Sequence, residues 1–182
     1  MSHNLKELTW EHHQNAERQS FVKEMFSGKI TEERYATYLY NQYICYDILE
    51  AMGRINGLFN DIPEIQRAPG IMEDFQELWT DPNSKPTVYQ ATSDYVAYLK
   101  PLVQDKDKLM AHIYVRHMGD LSGGQMIAKR VPGTGKYYQF ESDTETLKNK
   151  IRERLDDSMA DEAKVCFDFA TKLFQQMGDD KS

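Results

Sequence analysis

Three glycines fall within six residues in the run Met118-Gly119-Asp120-Leu121-Ser122-Gly123-Gly124-Gln125, inside a stretch whose periodicity is otherwise helical. A glycine in a helix costs roughly 1 kcal/mol relative to alanine, so the three forfeit about 2–3 kcal/mol unless the missing side chains serve a purpose. Gly119 and Gly123 are four apart and share a helix face, with Gly124 beside them, so together they open a groove of bare backbone. A flat ligand fits such a groove, and so does a closely packed neighbouring helix with small-xxx-small spacing. Asp120 favours the ligand. A carboxylate beside an apolar groove is costly to desolvate unless it is hydrogen-bonded, and such a group is suited to holding water over a reacting centre.

The pentapeptide Leu121-Ser122-Gly123-Gly124-Gln125 also spells the signature loop of ABC-transporter ATPases. Those enzymes need a phosphate-binding loop as well. The candidate at Gly135-Lys136 has Arg130 where its first glycine belongs and Tyr137 where Ser or Thr must meet magnesium, which rejects that chemistry.

The imidazoles are His3, His12, His13, His112 and His117. His13 shares a helix face with Leu5, Thr9 and Glu17, and Glu17 at i+4 can orient the ring through a hydrogen bond, as metal and haem histidines need. A structural histidine with satisfied nitrogens is the competing explanation. His12 points about 100° away and is expected at the surface. A carboxylate-bridged di-iron centre would need two Glu-x-x-His pairs. Three residues before His12, His13, His112 and His117 stand Thr9, Trp10, Leu109 and Tyr114, so an iron here is better served by a haem with one imidazole ligand. Lys148 and Arg152 lie four apart, and Lys6 lies seven before His13. Cations so placed can pair with two carboxylates at the edge of a planar ligand, or simply line a solvated face.

Helical periodicity recurs along the chain and strand alternation is nearly absent, which predicts an all-α bundle. Ser2 or Asn4 caps a first helix reaching about Arg18, and Phe21–Phe26 forms a short one stopped at Gly28. Thr31 with Glu32 and Glu33 starts a long helix to about Leu58, with Tyr35, Leu39, Tyr43, Tyr46 and Met52 near helical spacing. Further helices are expected from about Pro69 to Trp79, from Pro86-Thr87 with Val88, Tyr95, Val96 and Leu99 inward, and from about Lys106 to Arg130, the last interrupted by its glycines. Helices at about Thr144–Asp156 and Asp161–Met177 close the bundle, and Tyr137-Tyr138-Gln139-Phe140 is too short to seed a sheet.

A chain of 182 residues suits one core, and no repeat or linker divides it, so residues 1–182 are expected to form one domain with 177–182 a frayed tail. A net charge of −7 with 28% charged residues excludes a dominant phosphate-binding surface and so a nucleic-acid binder. Cys45 and Cys166 lie in apolar surroundings without paired spacing and are expected as buried thiols of a reducing compartment. No apolar run approaches the roughly 20 residues of a membrane span, and Met1-Ser2-His3-Asn4-Leu5-Lys6 lacks a signal-peptide core. A soluble, cytoplasmic protein, monomeric by default, is the expectation.

The continuous stretch Leu109-Met110-Ala111-His112-Ile113-Tyr114-Val115-Arg116-His117 into Met118–Gln125 resembles the haem oxygenase family, the biliverdin-forming enzymes, in its soluble bacterial, cyanobacterial or phage-like members. The resemblance extends to His13-Gln14-Asn15-Ala16-Glu17, to Phe21, and to Phe167 and Phe174, covering nearly the whole chain in order but only loosely from about Asn56 to Lys106. It implies a single-domain bundle with haem between a proximal helix and a glycine-kinked distal helix. His13 would be the axial iron ligand and Glu17 its hydrogen-bond partner. Gly119, Gly123 and Gly124 would lie against the distal face and Phe167 would line the pocket. Asp120 would order distal water within a polar network of Tyr46, Tyr114 and Arg116, while Lys6, Lys148 and Arg152 would bind the propionates. The chain departs from the pattern at Trp10, where many relatives carry another basic residue.

The implied activity is cleavage of haem b, both cofactor and substrate, at a meso carbon by O2 and supplied electrons, giving biliverdin, CO and iron. The sequence carries no flavin or iron–sulfur motif, so an external donor is required. The resemblance implies a ferredoxin, docking near Lys129, Arg130, Lys148 and Arg152, and a bilin reductase as a downstream partner. A non-catalytic haem carrier or sensor on the same fold is the alternative. A more remote one, an all-α thiaminase-like hydrolase, would need an activated cysteine, and neither Cys45 nor Cys166 has a histidine close in sequence.

Overall fold

The computed structural model describes residues 4–180, which form nine α-helices and four short 3-10 turns, with no strand among the described residues. The helices are α1 (Leu5–Leu8), α2 (Trp10–Glu17), α3 (Ser20–Phe26), α4 (Glu32–Ile55), α5 (Ala68–Leu78), α6 (Gln90–Leu99), α7 (Lys106–Ala128), α8 (Thr144–Arg152) and α9 (Ala160–Asp179). Among the described residues no helix is long and apolar enough to cross a membrane.

Local chemistry accounts for the main boundaries. The Thr31 hydroxyl accepts from Arg34 N at 3.2 Å to begin α4, with Glu32 and Glu33 in its positive first turn. Asp105 accepts from Lys108 N at 3.1 Å to begin α7, and Asp143 accepts from Thr146 N at 3.0 Å to begin α8. The start of α5 is served from a distance instead. The Glu50 carboxylate on α4 accepts from Arg67 N at 2.6 Å and Ala68 N at 2.9 Å, fixing the angle between two helices that pack together. α4 ends at Ile55, and Gly57 follows at φ 72, a left-handed conformation that glycine adopts without strain.

Several boundaries differ from expectation. The first helix breaks at Thr9, whose hydroxyl donates to the Leu5 carbonyl at 2.8 Å and whose φ of −107 leaves helical geometry. Lys6 therefore lies on α1, ahead of the helix that carries His13; Ser2 and His3 lie outside the described residues. α6 begins at Gln90, leaving Val88 44% exposed and Val96 half-buried. Tyr137 and Tyr138 belong to a 3-10 turn, Lys136–Tyr138, capped by Asp74, whose carboxylate accepts from Lys136 N and Tyr137 N, both at 2.9 Å. The expected tail is ordered through Asp179: Met177 is fully buried, and Arg34 donates to the Met177 and Asp180 carbonyls.

α7 runs unbroken through Gly119, Gly123 and Gly124, so the glycines modify its surface without ending it. α7 packs on α4, α8 and α9, while α9 also packs on α2, α3 and α6. Two apolar clusters result. One surrounds Leu49, Leu99, Ile113 and Ile151, and the other surrounds Phe21, Leu39, Ile71 and Met177. Cys45 and Cys166 are buried and free.

Candidate functional site

α2 carries His13 at the surface of α9. Its Nε2 lies 2.6 Å from Glu17 Oε1, the i+4 pairing anticipated from spacing. The Phe167 ring from α9 stacks on the imidazole at 5.3 Å and 13°, and Trp10 meets it edge-on at 5.4 Å and 79°. Two aromatic rings and a carboxylate thus set the plane of an imidazole that remains 36% exposed in its side chain. Glu17 engages one ring nitrogen, so the other is left for a ligand, and rotation of the ring exchanges the two. Lys6 lies with Nζ 5.8 Å from the Trp10 ring centroid. His12, expected at the surface, is half-buried and bonds Asp168 of α9 through Nδ1 at 2.8 Å, tying α2 to α9.

On α7, a methyl group added at Gly119 or Gly123 would meet nothing within 4 Å. That open face is what a ligand lying on backbone requires, and it removes close helix packing as the reason for these two glycines. Gly124 differs: a methyl there would collide with the Tyr138 ring, so its missing side chain serves internal packing. Tyr114, lower on α7, is buried and hydrogen-bonds Thr9, which joins α7 to the junction of α1 and α2. Burial pushes the Tyr114 phenol up, and the nearby Arg152 charge draws it partly back. Arg152 and Lys148 of α8 both pair with Glu145, at 3.1 and 3.5 Å. Tyr114 and Arg152 therefore stand close together, and Lys148 shares a carboxylate with Arg152.

Asp120 lies between the two open glycines in sequence and is buried on the side of α7 facing α4. Tyr46 donates to its Oδ2 at 2.8 Å. Burial raises the carboxyl to about 6, with His117, Tyr46, Arg67 and Tyr137 drawing it down from a higher value. A carboxyl near neutrality can exchange a proton with a water or an oxygen ligand at physiological pH. Arg116 is also buried, its guanidinium 4.3 Å from the Tyr95 ring centroid and its Nε donating to Tyr95 OH at 3.1 Å.

Partners that sequence spacing did not reveal complete the site. His117 pairs with Glu50 at 2.8 Å across 67 residues. His112, fully buried, bonds Tyr95 OH through Nδ1 at 2.8 Å and Glu162 through Nε2 at 2.7 Å. Cys166 lies against His112 and Tyr95; burial pushes its thiol up, but the His112 and Arg116 charges overcome this and leave it lowered. Arg67 donates to the carbonyls of Glu64, Ile65, Tyr137 and Gln139, pinning the Lys136–Tyr138 turn beneath Asp120. Only types were available in sequence, because each partner arrives from another helix. Among the described residues no group of three or more His, Cys, Asp or Glu side chains could hold a bare metal ion.

The sequence matches a family profile described as heme oxygenase over residues 1–176. It is 30% identical over 202 positions to a heme oxygenase of Guillardia theta, covering 95% of this chain and 84% of the relative. Its similarity to heme oxygenase 2 of Macaca fascicularis is 28%, over 97% of this chain and 65% of that longer protein. The fold superposes on a heme oxygenase of Leptospira interrogans with a TM-score of 0.82 at 29% identity, covering 94% of this chain and 97% of the other. Heme oxygenase-1 of the cyanobacterium Synechocystis, solved in complex with heme, superposes with a TM-score of 0.80 at 26% identity, covering 94% and 89%.

Proposed function

The chain belongs to the haem oxygenase family, and from that premise we propose that it opens haem at a meso carbon, using O2 and supplied electrons, to biliverdin, CO and iron. The residues fit the substrate. Haem is flat, carries two carboxylates at one edge and needs one strong iron ligand. The chain offers two glycines with open space beside them, the cations Lys6, Lys148 and Arg152, and an imidazole with a free nitrogen held by Glu17. Bound haem would supply the redox-active iron and the ring to be oxidised.

What the chain itself does follows from its geometry. Glu17, Phe167 and Trp10 fix the plane of His13, which removes rotational freedom from the ligand. Gly119 and Gly123, with open space beside them, would let the α7 backbone lie close against a flat ligand. Asp120, with a carboxyl near 6 held by the Tyr46 and Tyr137 hydroxyls, can exchange a proton with water at neutral pH. Tyr114 and Arg152 stand together to receive a carboxylate. The observation that carries the reading is the combination on one helix of two glycines bordering open space and a buried, nearly neutral-titrating carboxyl between them. A plain haem carrier needs the groove but not that carboxyl. Electrons come from a partner, a ferredoxin-class protein in this proposal, meeting the exposed cations Lys129, Arg130 and Arg152. A bilin reductase is the proposed recipient of the product.

Hemin added to the protein with ascorbate in air should lose its Soret band and yield a bilin with release of CO. A Soret band that persists through repeated reduction would leave a carrier. His13→Ala should abolish the histidine-ligated spectrum, whereas Asp120→Ala should preserve it and slow bilin formation by about a hundredfold or more, the range of a lost proton donor. An unchanged rate would remove Asp120 from the chemistry.

A further inference from the structure

His117 precedes Asp120 by three residues on α7, and both are buried. Its Nε2 lies 2.8 Å from Glu50 Oε2 and its Nδ1 lies 3.1 Å from the Ile113 carbonyl oxygen. A carboxylate and a carbonyl both accept, so both ring nitrogens must donate, and an imidazole with two N–H groups is a cation. The alternative is a protonated Glu50 donating to a neutral ring. It conflicts with the other partners of that carboxylate, since Arg67 N reaches Oε2 at 2.6 Å and Ala68 N reaches Oε1 at 2.9 Å. Backbone N–H groups at the start of a helix favour the ionised form. The two side chains are 1% and 0% exposed, so water screens neither charge.

This pair touches the apparatus around Asp120 directly. The His117 ring meets the Tyr46 ring at 5.3 Å and 62°, and Tyr46 is the hydroxyl that donates to Asp120. We infer that His117, held by Glu50, is the positioning residue that keeps Asp120 ionised and bonded to Tyr46 at neutral pH, an inference that rests on the role proposed above for that carboxyl. Burial is the largest influence on Asp120, and His117 is the strongest of those opposing it. The other groups facing Asp120 are fewer in kind. Tyr46 and Tyr137 donate hydrogen bonds, and Arg67 adds a charge from the segment before α5. Tyr35, Tyr38 and Tyr138 are close enough for Asp120 to raise their phenols, and Arg116 sits over the Tyr46 ring at 5.6 Å. Phenols this far above neutrality stay neutral, and Arg67, the guanidinium that draws Asp120 down, does so less strongly than His117.

The test follows the Asp120 carboxyl itself in the haem-free full-length protein, by NMR of aspartate labelled at the carboxyl carbon, with Asp120→Asn to assign the signal. The parent midpoint is expected at about 6. His117→Gln, which retains a donor toward Glu50 but no charge, should move that midpoint upward by about one pH unit or more, a tenfold change in proton affinity. A smaller rise, no change or a fall overturns the inference. Should His117→Gln not fold, the double variant His117→Phe with Glu50→Gln removes both charges together and avoids a lone buried ion; its midpoint should still rise, by less because the opposing Glu50 charge is lost as well, and for this variant no rise overturns the inference. Bilin formation across pH is read separately, and its acid limb should shift by the same amount. If the NMR midpoint moves while no haem is degraded by either protein, the proposed function fails and the positioning role stands. An unmoved midpoint with normal turnover removes the positioning role and leaves the proposed function standing.

Discussion

At the scale of single residues, Asp120 is a buried carboxyl held against its preference for water. Its carboxyl is raised by burial from 3.8 in a solvated chain to about 6 in the folded one. Between those values the folded protein binds more protons than the unfolded one. Stability contributed by this group is therefore full below about pH 4, declines as pH rises toward 6 and stays lost above. At about 1.4 kcal/mol per pH unit, the cost near neutrality is about 3 kcal/mol. Asp120→Asn keeps an oxygen that accepts from Tyr46 and removes the buried charge. The variant should be more stable than the parent by about 1–3 kcal/mol near pH 7, and the difference should vanish near pH 4. Urea titrations at both pH values measure it; a difference independent of pH would assign the cost to some other group. A fold under selection for stability alone has no use for this carboxylate, which agrees with its place in the proposed chemistry.

At the scale of elements, α7 carries three glycines whose surroundings differ, and substitution should separate them. Gly119→Ala and Gly123→Ala place a methyl in open space, so helix propensity alone acts and each should stabilise the haem-free protein by about 0.5–1 kcal/mol. Gly124→Ala drives a methyl into Tyr138 and should destabilise by about 1–3 kcal/mol, the usual cost of overpacking. Thermal unfolding of the three variants gives the signs, and a common sign would mean that the faces of α7 are misassigned. Hemin affinity should fall in the two stabilised variants.

The same helix marks how far the sequence is legible. Type and short-range spacing reveal the glycine run, Asp120 and the His13–Glu17 pair, because each lies within two turns of one helix. Spacing cannot separate Gly124 from its neighbours, since Tyr138 arrives from a turn after α7. Glu50 and His117 are invisible as a pair for the same reason. The break at Thr9 is hidden because apolar periodicity continues across it while the threonine hydroxyl takes up the Leu5 carbonyl. Val88 resembles a core residue by type, but α6 begins two residues later and leaves it outside.

At the scale of the whole molecule, α9 connects the ligand side to the far end of the bundle. Near its start Phe167 stacks on His13 and Asp168 bonds His12. Near its end Gln176 Oε1 accepts from Ala91 N at 2.9 Å, and Arg34, paired with Glu24, donates to the Met177 and Asp180 carbonyls. Tyr89 OH donates to Asp180 Oδ2 at 2.8 Å, and Met177 is fully buried. These contacts satisfy carbonyls that a helix end leaves open and join α9 to α3, α4 and α6. Polar composition alone suggests that residues from 177 onward fray, whereas the contacts hold residues 177–180 in place, and the two predict opposite results. Deleting residues 177–182 removes the Met177 side chain and strands the Arg34 guanidinium beside Glu24. The loss should be about 2–5 kcal/mol, as for emptying a buried methionine site. A lowered urea midpoint with an unchanged slope would show a stabilising end to α9. An unchanged midpoint would mean the last turn contributes nothing and that the bundle is closed by Gln176. Because Phe167 lies more than two turns before the cut, hemin affinity measured well below the new midpoint should change little, which separates a global loss of stability from damage to the His13 clamp.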